Sequence, residues 1–233
     1  MRLIVAALVA MAGTARADVD ASHVRLTTAH GPVHLWTPPT YDPATAGIAV
    51  YVHGYYTDAD RSWADHHLAD QFLASGRNAL FIAPEAPAGL RPAVNWTSLQ
   101  DLLIEVRVQT GRPLPRGPLV AVFFSGGYRT ASHWLEHPEL REIVMLDAMY
   151  DDEDLFAAWL RQPRKRPNRM ILVGADTLRW TEPFAREARE DGVADRLVYL
   201  RAGEPHMDLV LKGAMIPAVL QQSSLPAAAA AAP

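Results

Sequence analysis

Ser125 is the residue whose surroundings point most directly to nucleophilic chemistry. It follows the apolar run LVAVFF at 119–124 and precedes Gly126 and Gly127. The run predicts a strand buried on both faces, and the segment 127–137 after it predicts a helix. In such a strand-to-helix turn the hydroxyl stands above the sheet, and the N–H of Gly126 points at a developing oxyanion. Taken alone, a serine followed by glycines more often forms an ordinary turn, so other residues must support the hypothesis that Ser125 is a nucleophile.

Two further residues with suitable chemistry follow later strands. His206 lies in the segment GEPH at 203–206, after the last predicted strand, where an imidazole can reach a serine on a central strand and accept its proton. Asp176 follows the run MILV at 170–173, and a carboxylate there would orient the imidazole and stabilise its charged form. The order along the chain is Ser, Asp, His, as in one of the known arrangements of this triad. We therefore predict Ser125, Asp176 and His206 as catalytic residues.

Asp147 is the alternative acid. It ends the run IVML at 143–146, and acidic residues follow it at 151–154. These neighbours are typical of the start of a helix, where the helix dipole stabilises carboxylates. A metal site made of Asp147 and this acidic run is a weaker hypothesis, and we predict no metal. Asp176 is preferred to Asp147 as the acid.

A glycine turn after the run IAVYV at 48–52 supplies a second set of candidates. His53, Gly54 and Tyr55 form this turn, and the N–H of Tyr55 is a candidate second oxyanion donor. The alternative is a plain glycine turn with an aromatic residue packed beside it. Tyr128, on the helix after Ser125, is a candidate pocket residue together with His53, Gly54 and Gly127.

Strands and helices alternate along the chain between these candidates. Aliphatic and β-branched runs predict strands at 23–29, 33–37, 48–52, 79–83, 119–124, 143–146, 170–173 and 197–200. Helical patterns lie at 62–74, 98–106, 127–137, 152–160, 183–189 and 207–220. This alternation predicts an α/β fold with a mostly parallel central sheet flanked by helices on both faces. The short links leave no room for a large cap domain. Adjacent residues of a helix point about 100° apart, so His66 and His67 cannot easily bind one metal ion, and they are expected to be two exposed histidines.

The two ends of the chain differ in composition from its middle. Residues 1–17 have a positive start, an apolar stretch and an A-x-A site, which predict a removable signal peptide and an exported, periplasmic or secreted protein. The expected folded domain is 18–225, and 226–233 is an Ala/Pro tail of low complexity. Removing Arg2 and Arg16 takes the formal net charge from -4 to -6, which gives no reason to expect nucleic-acid binding. Without cysteines, the chain has neither disulfides nor thiolate chemistry.

The HG turn at 53–54, the S-x-G turn at 125–127 and the Asp and His after later strands resemble the α/β-hydrolase superfamily over nearly the whole mature chain. The segments SGGYRT at 125–130 and LDAMY at 146–150 are similar to small exported bacterial proteins of this superfamily. The resemblance implies a Ser-His-Asp triad, an acyl-enzyme intermediate and no cofactor. Phe123 departs from the pattern because it stands where the superfamily usually has glycine. A ring there predicts a displaced helix or a distorted turn.

The function expected from these features is hydrolysis of a carboxylic ester, or less favourably an amide, by a serine hydrolase. The substrate is expected to be a small molecule or an ester derived from the cell envelope, with no membrane span once the signal peptide is removed. The alternative, favoured by Phe123, is a non-catalytic binding protein of the cell envelope with the same fold.

Overall fold

The computed structural model describes residues 22–229, so the predicted signal peptide at 1–17 and the end of the tail at 230–233 lie outside the described residues. The strands of the described chain are β1 Ser22–Thr28, β2 Gly31–Thr37, β3 Gly47–Val52, β4 Ala79–Pro84, β5 Leu119–Phe124, β6 Leu140–Leu146, β7 Arg169–Gly174 and β8 Leu197–Arg201. The helices are α1 Ala59–Asp65, α2 Leu68–Ala74, α3 Leu99–Thr110, α4 Tyr128–Trp134, α5 Glu153–Arg161, α6 Leu178–Glu190, α7 Asp208–Leu211 and α8 Met215–Gln221. Single turns of 3₁₀ helix occupy Ser125–Gly127 and Ala194–Arg196.

All the described strands belong to one sheet, in the order β1-β2-β4-β3-β5-β6-β7-β8. β2 pairs antiparallel with β1 and with β4, and the other neighbours are parallel. The predicted mostly parallel sheet flanked by helices is therefore confirmed. The strand order changes direction between β3 and β5, and open α/β sheets bind ligands beyond the carboxyl ends of the strands at such a point.

Two apolar clusters cover the two faces of the sheet. β5 is buried along its whole length, and its side chains alternate between the clusters, with Phe123 in one and Phe124 in the other. The ring of Phe123 is fully buried and packs edge-on against Trp134 of α4, with ring centroids 5.7 Å apart. Phe123 is thus part of the interface between β5 and α4. The turn at 125–127 is formed although a phenylalanine stands where the resemblance leads one to expect glycine.

The segment predicted as one helix at 62–74 is two helices. The break falls at His66 and His67, where His67 has a left-handed backbone with φ 48°. His66 is only 3% exposed and its Nδ1 lies 2.9 Å from the hydroxyl of Tyr51, so the prediction that both histidines are exposed is wrong for His66. Burial, with His53 nearby, lowers the pKa of His66 to about 4, which keeps this imidazole neutral.

The start of the predicted tail is joined to the domain by backbone hydrogen bonds. Asn78 N–H donates to the carbonyl of Pro226, and Ala228 N–H donates to the carbonyl of Gly76. Residues 226–228 therefore run beside the segment that leads into β4. In the described part of the chain, no helix is both long and apolar enough to span a bilayer.

Candidate active site

Ser125 occupies a strained turn at the carboxyl end of β5. Its φ is +51°, a left-handed conformation that non-glycine residues seldom adopt and that is found at functional sites when the surrounding structure enforces it. The glycines around it permit the close packing. A Cβ on Gly54 would lie 2.7 Å from the Cβ of Ser125, and one on Gly126 would collide with the ring of Tyr55. A Cβ on Gly127 would lie 3.0 Å from a carbonyl oxygen of β3.

The imidazole of His206 is hydrogen-bonded to Asp147. Nδ1 of His206 lies 2.6 Å from Oδ2 of Asp147, which follows β6. This corrects the preferred prediction, because Asp176 is not the hydrogen-bond partner of the imidazole and the alternative acid, Asp147, is. Asp176 is exposed, and its backbone N–H donates to Oδ2 of Asp147 at 3.1 Å.

The loop after β7 explains why the carboxylate of Asp147 is the one that is buried. Asp147 has no exposed surface, and besides His206 it accepts hydrogen bonds from the N–H groups of Ala175, Asp176 and Thr177 and from the hydroxyl of Thr177, at 2.5–3.1 Å. Burial alone would raise the pKa of this carboxyl. The hydrogen bonds from His206, Thr177 and Ala175 outweigh burial and bring the pKa of Asp147 down to about 2. The carboxylate therefore stays ionised beside the imidazole.

Two aromatic rings hold the imidazole on its other sides. The ring of Phe124 stacks on that of His206, with centroids 4.7 Å apart and an interplanar angle of 21°. The ring of Tyr150 meets it nearly at right angles at 6.4 Å. Ser125 and His206 line the same cavity. No hydrogen bond joins the serine hydroxyl to the imidazole within residues 22–229, and contacts of this kind commonly tighten only when a substrate binds.

His53 orients the peptide that carries the predicted second oxyanion donor. Its ring is buried, and Nε2 accepts a hydrogen bond from the N–H of Ala86 at 3.0 Å, so the proton is on Nδ1. Nδ1 therefore donates to the carbonyl of Gly54, 2.7 Å away. In a trans peptide the next N–H, that of Tyr55, points to the opposite side from this carbonyl. Among the described residues the N–H groups of Tyr55 and Gly126 have no hydrogen-bond acceptor.

The cavity above these residues has a volume of about 680 Å³, and its lining is rich in tyrosine and other apolar side chains but also includes Arg61 and Asp65. Tyr55, Phe124, Tyr128 and Tyr150 form its walls, and its rim includes Tyr56, which is 90% exposed. Leu90, Met207 and Leu211 are exposed apolar residues of the same rim. Nη1 of Arg129 donates to the carbonyl of Gly89 at 2.9 Å and thereby holds the loop that carries Leu90. The apolar and aromatic part of this lining suits an apolar or aromatic group of a ligand.

One group of side chains in the described residues has donor atoms close enough to hold a metal ion. It consists of Asp147, Asp176 and His206, whose ligand atoms lie within 4.8 Å of one another. The imidazole Nδ1 and the carboxylate of Asp147 are already bound to each other, and the acidic run at 151–154 does not join this group. The geometry is that of a hydrogen-bonded pair, which does not match the metal hypothesis based on that run.

Two functional candidates were absent from the predictions. Thr177 donates two hydrogen bonds to Asp147, and Tyr150 contacts His206. The sequence contained a partial signal for both, since Thr177 is next to the predicted acid and Tyr150 closes the LDAMY segment. The contacts of Thr177 with Asp147 and of Tyr150 with His206 depend on the paths of the loops after β6 and β7. Those paths are set by the tertiary structure and cannot be read from local sequence.

Comparison with solved structures finds the same fold in several esterases. A protein described as a ferulic acid esterase has a TM-score of 0.64 and 10% identity, over 88% of this chain and 97% of that one. A mutant of the feruloyl esterase module from Clostridium thermocellum, complexed with sinapinate, has a TM-score of 0.59 and 12% identity, over 87% of each chain. An esterase from the archaeon Pyrobaculum calidifontis has a TM-score of 0.56 and 14% identity, over 87% of this chain and 85% of that one.

These similarities support an α/β-hydrolase fold for the chain. The sequence itself matches no family model, and no curated protein matches it. At 10–14% identity the likeness concerns the fold, so the chemistry has to be argued from the residues of this site.

Proposed function

We propose that this protein is a serine hydrolase that cleaves carboxylic esters through an acyl-enzyme intermediate. Ser125 is the nucleophile, His206 the general base and Asp147 the acid that orients it. The observation that carries the proposal is the hydrogen bond from His206 to the buried carboxylate of Asp147, with His206 lining the same cavity as Ser125, which stands in a left-handed turn.

The reaction has two halves that use the same groups. Ser125 Oγ attacks the ester carbonyl while Nε2 of His206 takes the hydroxyl proton, and the N–H groups of Tyr55 and Gly126 bind the resulting oxyanion. His206 then gives that proton to the alcohol that leaves. Water attacks the acyl-enzyme, His206 accepts its proton and returns it to Oγ, and the carboxylic acid departs.

Asp147 contributes by fixing the tautomer of His206. Its Oδ2 accepts a hydrogen bond from Nδ1–H, so Nε2 has a free lone pair for the proton of Ser125. The negative charge of Asp147 then stabilises the imidazolium that forms during attack. Asp176 supports this arrangement through its backbone N–H, and we assign no catalytic role to its exposed side chain.

The cavity lining favours substrates with an apolar or aromatic acyl or alcohol group. The aromatic walls supply faces for stacking and the exposed apolar rim extends the contact surface. Two of the structures with the same fold are described as esterases for feruloyl or ferulic acid groups, which are aromatic. An ester of a small aromatic acid is therefore the first substrate class to test.

The proposal is tested by the hydrolysis of p-nitrophenyl acetate and butyrate by wild type and by Ser125→Ala. Loss of the nucleophile should reduce kcat by several orders of magnitude and leave only a residual rate. Ser224→Ala is a matched control, because Ser224 lies at the amino end of the sheet, in a different cavity. If Ser125→Ala and wild type hydrolyse the esters at the same rate, the proposed function is wrong.

The alternative function is a non-catalytic binding protein of the cell envelope with the same fold, and it predicts that a fluorophosphonate does not react with Ser125. We also propose that the protein is exported after removal of residues 1–17. N-terminal sequencing of protein from the periplasm or medium should find Asp18 first. A mature chain that still begins at Met1 in the cytoplasm would contradict export.

A further inference from the structure

A side chain that the proposed mechanism does not use lies beside the proposed nucleophile. Tyr150, in the loop between β6 and α5, is partly buried and lines the same cavity as Ser125 and His206. The hydroxyl of Ser125 influences the phenol of Tyr150 and by itself acts to lower the pKa of that phenol. A phenol that shares a cavity with the proposed nucleophile and packs against the proposed base can act on the reaction itself, beyond packing.

The ring of Tyr150 is held by aromatic residues from three different elements. Its centroid lies 5.4 Å from that of Trp180 in α6, 6.2 Å from that of Tyr128 in α4 and 6.4 Å from that of His206 before α7. These contacts restrict the ring, so the position of the hydroxyl is set by packing. Preorganised donors of this kind stabilise charge without reorganising during the reaction.

The surroundings of Tyr150 also keep its proton in place. Burial, followed by the negative charges of Asp147 and Asp176, raises the pKa of Tyr150 to about 12. The phenol is therefore neutral at any pH at which His206 can act as a base, and it remains a hydrogen-bond donor. It is not a competing general base.

We propose that the hydroxyl of Tyr150 donates a hydrogen bond to Oγ of Ser125 and stabilises the negative charge that develops on this oxygen. This inference rests on the proposed function. During acylation the Oγ proton passes to Nε2 of His206 as the bond from Oγ to the carbonyl carbon forms. During deacylation that bond breaks and His206 returns the proton to Oγ. Tyr150 keeps its own proton in both halves, and Oγ carries partial negative charge in both.

The test is Tyr150→Phe, which keeps the ring contacts and removes only the hydroxyl. Two experiments are made: labelling of Ser125 by a small fluorophosphonate gives a rate constant, and hydrolysis of p-nitrophenyl acetate gives kcat and KM. A hydrogen bond to a developing charge predicts that the labelling rate constant and kcat each fall by about 10- to 100-fold, with little change in KM. The fluorophosphonate reports on the reactivity of Oγ with little contribution from substrate binding, because it offers almost no group for the cavity to bind.

Tyr41→Phe is the matched control, since Tyr41 lies in the connection between β2 and β3 and lines a different cavity. It should leave both rate constants unchanged. Equal labelling rates for wild type and folded Tyr150→Phe would overturn the inference. A raised KM with an unchanged labelling rate would also overturn it, because Tyr150 would then act only in substrate binding. If wild type is labelled normally, these results leave the proposed function intact. A wild-type protein that neither hydrolyses esters nor reacts at Ser125 would overturn both.

Discussion

Asp147→Asn tests the correction from Asp176 to Asp147 through the tautomer of His206. The amide oxygen of the new side chain can take the place of Oδ1, which accepts from Ala175 N–H and from both donors of Thr177. The amide NH₂ then takes the place of Oδ2 and faces His206. Two donors cannot share a hydrogen bond, so Nδ1 must give up its proton, which moves to Nε2. A protonated Nε2 cannot accept the proton of Ser125.

The expected size of the effect follows from this loss. In serine proteases the same change leaves the geometry intact and lowers kcat by about 10⁴-fold because the tautomer is wrong. We expect Asp147→Asn to lower kcat by roughly 10³- to 10⁴-fold, with a smaller change in KM. Asp176 N–H, which is partly buried, also loses its acceptor, and leaving such a donor unpaired costs at most about 1–3 kcal/mol of stability. In a domain of this size that shifts the unfolding temperature by several degrees, so the variant should still be folded at 25 °C.

Steady-state hydrolysis of p-nitrophenyl butyrate, with the unfolding temperature as a check on folding, provides the measurement. Asp176→Asn is the matched comparison, because it makes the same chemical change on an exposed side chain that lies next to the same imidazole. It should keep kcat within a few-fold of wild type. The opposite pattern, a folded and active Asp147→Asn with an inactive Asp176→Asn, would refute the assignment of the acid.

Further predictions concern the oxyanion turn, the acid stability of the protein and the role of metals. His53→Leu removes the hydrogen bond that orients the Gly54–Tyr55 peptide. It should lower kcat by about 10-fold or more, approaching the effect of losing an oxyanion donor. If kcat is unchanged, the role of His53 is limited to accepting the hydrogen bond from the N–H of Ala86. Because the pKa of Asp147 in the folded protein is about 2, below its ordinary value of 3.8, its stabilising effect is present above the ordinary value and is lost as the pH falls towards 2. The unfolding temperature should therefore fall less steeply below about pH 4 in Asp147→Asn than in wild type, and parallel curves would show that Asp147 does not contribute. EDTA should leave ester hydrolysis unchanged, and loss of activity that is restored by a divalent metal would reinstate the metal hypothesis.

The order of strands and helices could be predicted because each run has a strong local pattern. β5 is a continuous apolar run buried on both faces, and the glycines at 126–127 end it at a turn, so the position of Ser125 follows from local sequence. The break between α1 and α2 was missed because His66 and His67 continue the helical pattern. What separates them is tertiary, since His66 is buried against Tyr51 while His67 takes a left-handed backbone.

The choice between Asp147 and Asp176 could not be made from the sequence. Both residues end neighbouring parallel strands and so reach the same edge of the sheet. Which carboxylate meets His206 depends on the path of the loop after β7, whose N–H groups surround Asp147 and leave the side chain of Asp176 in solvent. Strand ends therefore identify the edge where the site lies, and hydrogen bonds from a neighbouring loop select the acid.

Covalent labelling shows whether Ser125 is a nucleophile that the Asp147–His206 pair activates. Wild type is treated with a fluorophosphonate, and the site of modification is found by peptide mass spectrometry. We predict one adduct per chain, on Ser125, and a labelling rate that falls by several orders of magnitude in His206→Ala. An unmodified Ser125, or an adduct that forms equally fast without His206, would contradict the account.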